Sequence, residues 1–178
     1  GKVYYDLRNF TGDEFNFIKN KLVINSNKLT NDKIEIILNL IKYPSEKINQ
    51  VLFNGSFNSD LSEYNIQKML LNIMIYISDL LSFSVSTCDN LKNSILEYIM
   101  FVISSLSKIK IVSFESCKLG DEQIKTITTS IKDSKSIVAL ILKKNNINSA
   151  GGFHISEFIN TNKTINQLFL GNNHIIDN

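Results

Sequence analysis

Among 178 residues the chain has one arginine, two histidines, two cysteines and no tryptophan. With Arg8 as the sole guanidinium, the planar fork that reads phosphates and base edges is scarce. Lys+Arg at 19 against Asp+Glu at 17 leaves a formal charge of +2, which gives little steering toward polyanions. A nucleic-acid partner is therefore not expected. Cys88 and Cys117 are too few for a secreted disulfide scaffold and lie at no spacing that makes a zinc site with histidine. A reduced setting follows as the expectation: cytoplasmic, or a host cell's interior if the chain is a delivered effector. The greasy stretches 66–83 and 95–106 are interrupted by Lys68, Asn72, Asp79 and Glu97 before an ~18-residue apolar span accumulates, so no membrane insertion is expected. No charged-then-apolar leader opens the chain, a reading that covers these residues alone because residue 1 is Gly rather than Met.

The signals for chemistry are equally sparse. His154 and His174 fall in different parts of the chain without convergent Cys or His partners, which argues against metal ligation or base catalysis. Gly151-Gly152 is not followed by the Lys-Ser/Thr of a phosphate loop and reads as close packing. Glu14, Glu35, Glu63, Glu97, Asp121, Glu122 and Glu157 read as a solvated surface rather than an acid/base pair, and no Ser/His/Asp or Cys/His set is present. The expectation is a protein that is not an enzyme, with no catalytic residue, no metal and no cofactor. Ile (27) and Asn (23) together exceed a quarter of the chain, so Asn runs are discounted as binding signals. The sequons at Asn54-Gly55-Ser56 and Asn162-Lys163-Thr164 are expected by chance in such a composition.

What the chain does have is repetition. The pattern apolar-x-x-apolar-x-apolar-x-x-Asn/Cys-x-apolar is filled by Ile165, Leu168, Leu170, Asn173 and Ile175. It is filled again by Ile137, Leu140, Leu142, Asn145 and Ile147, and by Ile109, Val112, Phe114, Cys117 and Leu119. Further upstream, Leu80, Phe83, Val85 and Cys88 fit with Leu91 displaced by one, and Ile48, Val51 and Phe53 fit with Ser56 at the polar place. Leu22, Ile24, Asn27 and Leu29 form the earliest copy, with Lys19 at a degraded lead position. Unit starts near 19, 48, 80, 109, 137 and 165 are separated by 29, 32, 29, 28 and 28 residues. In each second half the apolar period lengthens from two to about four, as in Leu91, Ile95, Ile99 and Ile103, or Leu119, Ile127 and Ile131, or Ile147, Ile155 and Ile159. Each unit is thus a short strand, a turn and a helix. Thr30 or Asn31 reads as the N-cap of a helix carrying Ile34, Ile37, Leu38 and Ile41, with Pro44 after its end. Ahead of the first unit, Thr11-x-x-Glu14 reads as a capping box, with Phe10 and Phe15 as a staple, for a helix over about 12–20. The division is a cap segment, 1–18, and a repeat domain, 19–178.

The pattern resembles a leucine-rich repeat of the ribonuclease-inhibitor-like class. That resemblance implies an α/β solenoid with a parallel sheet on its concave side and helices on its convex side, and a role in binding proteins. It also implies that Asn27, Asn145 and Asn173 turn inward to hydrogen-bond backbone groups, with Cys88 and Cys117 on the same rung of neighbouring units, either as buried thiols or as a redox pair. Members of the class include GTPase-activating proteins and actin-filament-end cappers. Other readings of this chain are the recognition segment of a larger receptor or a microbial effector.

If strands alternate as this pattern demands, the open face reads Val23, Leu52, Ser84, Ser113, Ile141 and Phe169 along its middle row. The row before it reads Lys21, Gln50, Ser82, Ile111, Ala139 and Gln167, and the row after it Asn25, Asn54, Ser86, Glu115, Lys143 and Gly171. Ile111, Ala139, Ile141 and Phe169 make an apolar run rimmed by Lys110, Lys143 and Lys144. The expected protein-binding set is Ile111, Ser113, Glu115, Ala139, Ile141, Lys143, Gln167 and Phe169, suited to an acidic or amphipathic segment.

Overall fold

The computed structural model describes residues 15–44 and 46–175. Its first element corrects an expectation. Where a helix was expected over 12–20, β1 (Phe15–Ile18) pairs antiparallel with β2 (Lys21–Asn25), closing at Ile18↔Lys21. Residues 11–14, which carry the expected capping box, and Phe10 lie outside the described residues. Lys19 (φ 45°) and Asn20 (φ 68°) form the two-residue loop, both left-handed, which matches the natural twist of a hairpin. A paired strand satisfies the open N–H and C=O groups along the edge of β2, which a helix laid over that edge would leave unmatched.

From β2 onward the chain alternates strand and helix: α1 (Ile34–Lys42), β3 (Gln50–Asn54), α2 (Glu63–Tyr76), β4 (Ser82–Ser86), α3 (Asn93–Ser104), β5 (Ile111–Glu115), α4 (Asp121–Ile131), β6 (Ala139–Ile141), α5 (Ser149–Thr161) and β7 (Gln167–Phe169). A 3-10 turn, Asn31–Lys33, with Thr30 as its N-cap, leads into α1. The sheet runs β1 to β7 in chain order, and β2 to β7 are all parallel. Neighbours in sequence are thus neighbours in space, and helices α1 to α5 line one side of the sheet. The chain is an α/β solenoid of the leucine-rich-repeat kind.

Register follows the repeat. Leu22, Val51, Phe83, Val112, Leu140 and Leu168 pair in one row, as do Val23, Leu52, Ser84, Ser113, Ile141 and Phe169 in the next. The first row turns inward and is buried through Leu140, as are Ile24, Phe53, Val85, Phe114 and Leu142 two positions on. Ile37, Ile66, Ile95 and Ile124 close over them from the helices. Phe53 stacks obliquely on Phe83, ring centroids 5.7 Å apart. Ile159, one repeat after the buried Ile131, is exposed, and among the described residues no helix follows α5 to cover it.

Two backbone devices recur with the same period. The carbonyl just before each strand accepts two successive N–H groups from the next unit: Asn20 from Asn49 and Gln50, Asn49 from Leu81 and Ser82, Leu81 from Lys110 and Ile111, Lys110 from Val138 and Ala139, Val138 from Asn166 and Gln167. Besides Lys118 (φ 53°), one left-handed residue stands at the equivalent place after each strand from β3 on: Gly55 (φ 91°), Thr87 (55°), Ser116 (57°), Lys144 (58°) and Asn172 (59°). This residue reverses the chain so that the next side chain points into the turn. Only Thr87 is β-branched, the residue class that this conformation penalises most.

Two predictions follow from this geometry. Leu142→Ala should lower unfolding stability by about 2–5 kcal/mol as a core truncation, whereas Ile141→Ala, on the outer row, should cost well under half of that. Denaturant melts of both variants check it, and equal losses would mean the strand faces are misassigned. Thr87→Asn should raise stability by about 0.5–1 kcal/mol by relieving a left-handed β-branched residue, while Gly55→Ala should lower it. The pair moving in the same direction would refute the reading.

Candidate protein-binding face

The stiffness of the sheet face depends on the turn that follows each strand. Asn145, only 4% exposed, accepts from the N–H groups of Cys117 (2.9 Å) and Leu119 (3.1 Å) with Oδ1. Its Nδ2 donates to the carbonyls of Phe114 (2.7 Å) and Leu142 (3.0 Å). One amide thereby links two units and fills both its donor and acceptor capacity. Asn173 repeats the role, accepting from Ile147 N–H and donating to the carbonyls of Leu142 and Leu170. Cys117 holds the same place one unit earlier, its thiol lying 3.5 Å from the carbonyl of Val85 and 3.4 Å from that of Glu115. Cys88 precedes it, and both cysteines are free and buried rather than joined. Burial pushes the Cys117 thiol up to about 12 and raises that of Cys88.

In the first unit the expectation for Asn27 is overturned. Asn27 is exposed, and Ser26 takes the fully buried place, its hydroxyl without a hydrogen-bond partner among the described residues. Ser26 is not left-handed, so the chain lacks the reversal that turns the following residue inward in later units.

On the open face the eight expected contact residues share neighbouring rows but differ in exposure. Ile111 (37%) and Phe169 (38%) are exposed, Gln167 is exposed, and Ile141, Glu115 and Lys143 are partly so. Ser113 (8%) and Ala139 (3%) are buried, contrary to expectation. Their side chains are the shortest of the set, and the longer ones beside them, such as Ile111 and Gln167 flanking Ala139 in register, shield them from solvent. Lys143 sets its ammonium 5.1 Å from the centroid of the Phe169 ring, and Lys144 pairs with Glu115 at 3.9 Å. Ile141 and Phe169, level in register, and Ile111, two residues nearer the start of its strand, therefore form a bent apolar band across β5, β6 and β7, bordered by cations.

The helical side offers a different surface. Tyr64, Ile75 and Phe101 are exposed on α2 and α3, and Phe101 lies against Tyr98 with centroids 5.9 Å apart. Between α4 and α5 an open groove of about 460 Å³ is lined by Lys125, Lys132, His154, Glu157 and Thr161, among others. His154 packs beside Phe153, and His174 lies in the turn after β7, its N–H bonded to the carbonyl of Ile147. Among the described residues no three His, Cys, Asp or Glu gather as a metal site would need. No helix among them is long and apolar enough to cross a membrane. A Cβ on Gly151 would stand 2.6 Å from both Asp121 Oδ1 and Ile147 Cγ2, which accounts for glycine there by close packing.

Several framework residues carry no signal in the repeat pattern. Asn162, buried, donates to the carbonyls of Lys132 and Ser134 and accepts from the N–H groups of Thr164 and Ile165, so its amide is built into the loop before β7. Asn90 bonds both the N–H and the carbonyl of Phe57, and Asn31 accepts from Ser62 N–H and Asn65 Nδ2. The Asn162 sequon could have pointed to that position, but only as a glycan site.

No protein-family model matches the chain, and no curated protein does. Among solved structures it is similar to one described as Leiomodin-1 Actin-Binding Site 2 (ABS2), with a TM-score of 0.53 and 21% identity over 66% of this chain and 67% of that one. At that identity the likeness is one of fold.

The buried thiols give a testable outcome. The folded chain keeps the Cys117 proton to about pH 12, while an unfolded chain releases it near 9. This contribution to stability is intact below pH 9 and is lost as the pH rises toward 12. Cys117→Ala should therefore show a shallower alkaline loss of stability than the wild type in denaturant melts across that window. Both thiols should react slowly with an aromatic disulfide reagent until the chain is unfolded. Fast native labelling would contradict their burial.

Proposed function

We propose that this chain is a non-catalytic protein-interaction module that presents its open sheet face to a protein partner. The observation that carries the reading is the band of Ile111, Ile141 and Phe169, large side chains left exposed or partly exposed on strands paired in register with their neighbours. Apolar groups so placed cost solvation in the free protein and are recovered on contact. A face already ordered by its neighbours loses little conformational entropy on binding. In this reading the module acts as a scaffold, without cofactor or metal.

A second reading is a regulator of a cytoskeletal protein or an enzyme, favoured by the fold's likeness to a structure described as an actin-binding site. With Arg8 as the sole arginine, a GTPase activator of this composition would work by positioning its target's own groups rather than by inserting a guanidinium. The chain could equally serve as the recognition part of a larger receptor or effector.

The test compares proteins retained by the wild type with those retained by an Ile141→Asp/Phe169→Asp variant shown to be folded. A partner held by the wild type and lost by the variant is the expected result. A partner held equally by both, but lost on Ile75→Asp/Phe101→Asp, would move the contact to the helical side and refute the proposal. Co-sedimentation with actin filaments checks the second reading directly.

A further inference from the structure

Charge on this molecule is sorted by face. Among the described residues the carboxylates sit on helices, in the 3-10 turn and in loops, with the single exception of Glu115 on the sheet rows, and Glu115 is already paired with Lys144. Lys110 stands exposed at the start of β5, and Lys143 lies just past the end of β6 with its ammonium over Phe169. No carboxylate among the described residues lies within ion-pair distance of Lys110 or Lys143. The apolar band therefore has one cation before β5 and another past β6.

The dimensions are informative. In register, Lys143 falls level with Glu115, five residues along the strand from Lys110, a separation of about 16 Å. An α-helix with its side chains is about 10–12 Å across. Laid across the strands, its two flanks would each face one cation, with the lysine side chains spanning the remaining gap. The band steps over β5, β6 and β7, about 10 Å in all, which is close to two helical turns at about 5.4 Å each. Apolar residues at i, i+3 or i+4, and i+7 would meet Ile111, Ile141 and Phe169 in turn.

We propose that the open face takes an amphipathic α-helix of a partner protein, crossing β5 to β7 with its apolar stripe on Ile111, Ile141 and Phe169 and carboxylates on both flanks against Lys110 and Lys143. This rests on the reading of the sheet face as the contact surface and adds the chemistry of the occupant. Lys143 has two positions in this arrangement. In the free chain its ammonium covers the Phe169 ring, and a carboxylate on the incoming helix draws it aside and opens the ring to an apolar side chain. The site is thereby selective for an acidic residue placed beside a large apolar one, and a basic helix of equal hydrophobicity meets like charge at both ends.

The test uses the whole chain, ¹⁵N-labelled, and two synthetic helical peptides of about 14 residues, roughly 21 Å long. Both carry the same leucine stripe; one has glutamate flanks and the other lysine flanks. The glutamate peptide should shift amides of β5, β6 and β7 and bind more weakly as salt rises through the range that screens exposed charges. Lys110→Glu and Lys143→Glu should each weaken it about ten-fold, and the lysine peptide should not bind. Equal binding of the two peptides, or indifference to both charge reversals, would overturn the acidic occupant. If Ile141→Asp/Phe169→Asp still abolished binding in that case, the sheet-face reading would stand without it. Shifts confined to α2 and α3, unchanged in that double variant, would bring down both. Failure of the glutamate peptide to bind at any salt would overturn the proposal, as would a single-stranded oligonucleotide that competed as well as the glutamate peptide, since charge alone would then account for the contact.

Discussion

The structure depends on how the backbone is satisfied where each strand turns away from the sheet. A chain that leaves a strand abruptly strands N–H and C=O groups in a dry interior, and each such group is costly if left unpaired. Asn145 resolves this by spending both halves of its amide on backbone groups of its own turn and of the turn before it. The bond pattern therefore joins units as well as closing turns, and it sets the pitch at which they stack. Where Cys117 and Cys88 replace asparagine, the thiol keeps the volume but makes longer and weaker contacts, and burial holds it in the neutral form that such a place requires.

A face built on this frame is rigid by construction. Parallel strands in unbroken sequence order need no long-range crossover, so each outer row is a column of side chains separated by one repeat. The column's chemistry changes along the solenoid. Ser82, Ser84 and Ser86 make its middle small and hydroxyl-rich, while Ile111, Ile141 and Phe169 make its last part apolar. Among the described residues carboxylates lie on helices, in the 3-10 turn and in loops apart from Glu115, which pairs with Lys144, so the unpaired charges beside the apolar part of the sheet face are lysines. On the helical side the composition also shifts, from tyrosine and phenylalanine on α2 and α3 to lysine, threonine and histidine around the groove between α4 and α5. The two sides are thus distinct surfaces on one scaffold.

Much of this is written in the spacing. A pattern of period two that lengthens to about four and recurs every 28 to 32 residues dictates alternating short strands and helices, because only that arrangement puts every apolar position inside. Equal spacing then brings equivalent residues level, which is why Ile141 meets Phe169 and Leu140 meets Leu168. Less legible are the parts made by backbone alone. The doubled acceptor before each strand is Asn20, Asn49, Leu81, Lys110 and Val138 in turn, a set with no common side chain, since the carbonyl does the bonding. The left-handed position is likewise filled by Gly, Thr, Ser, Lys and Asn.

The amino-acid sequence by itself determined the repeat, the solenoid class, the inward rows and the scarcity of groups for chemistry, because each follows from local periodicity or composition. Only the tertiary structure decided that Phe15–Ile18 is a strand, since what covers the edge of β2 is settled by that edge's unpaired backbone groups. It alone placed Ser26 rather than Asn27 inside the first turn and sank Ala139 and Ser113 beneath their neighbours. It also set Lys143 over Phe169. These depend on the size and position of residues one repeat away, and no local pattern contains that information.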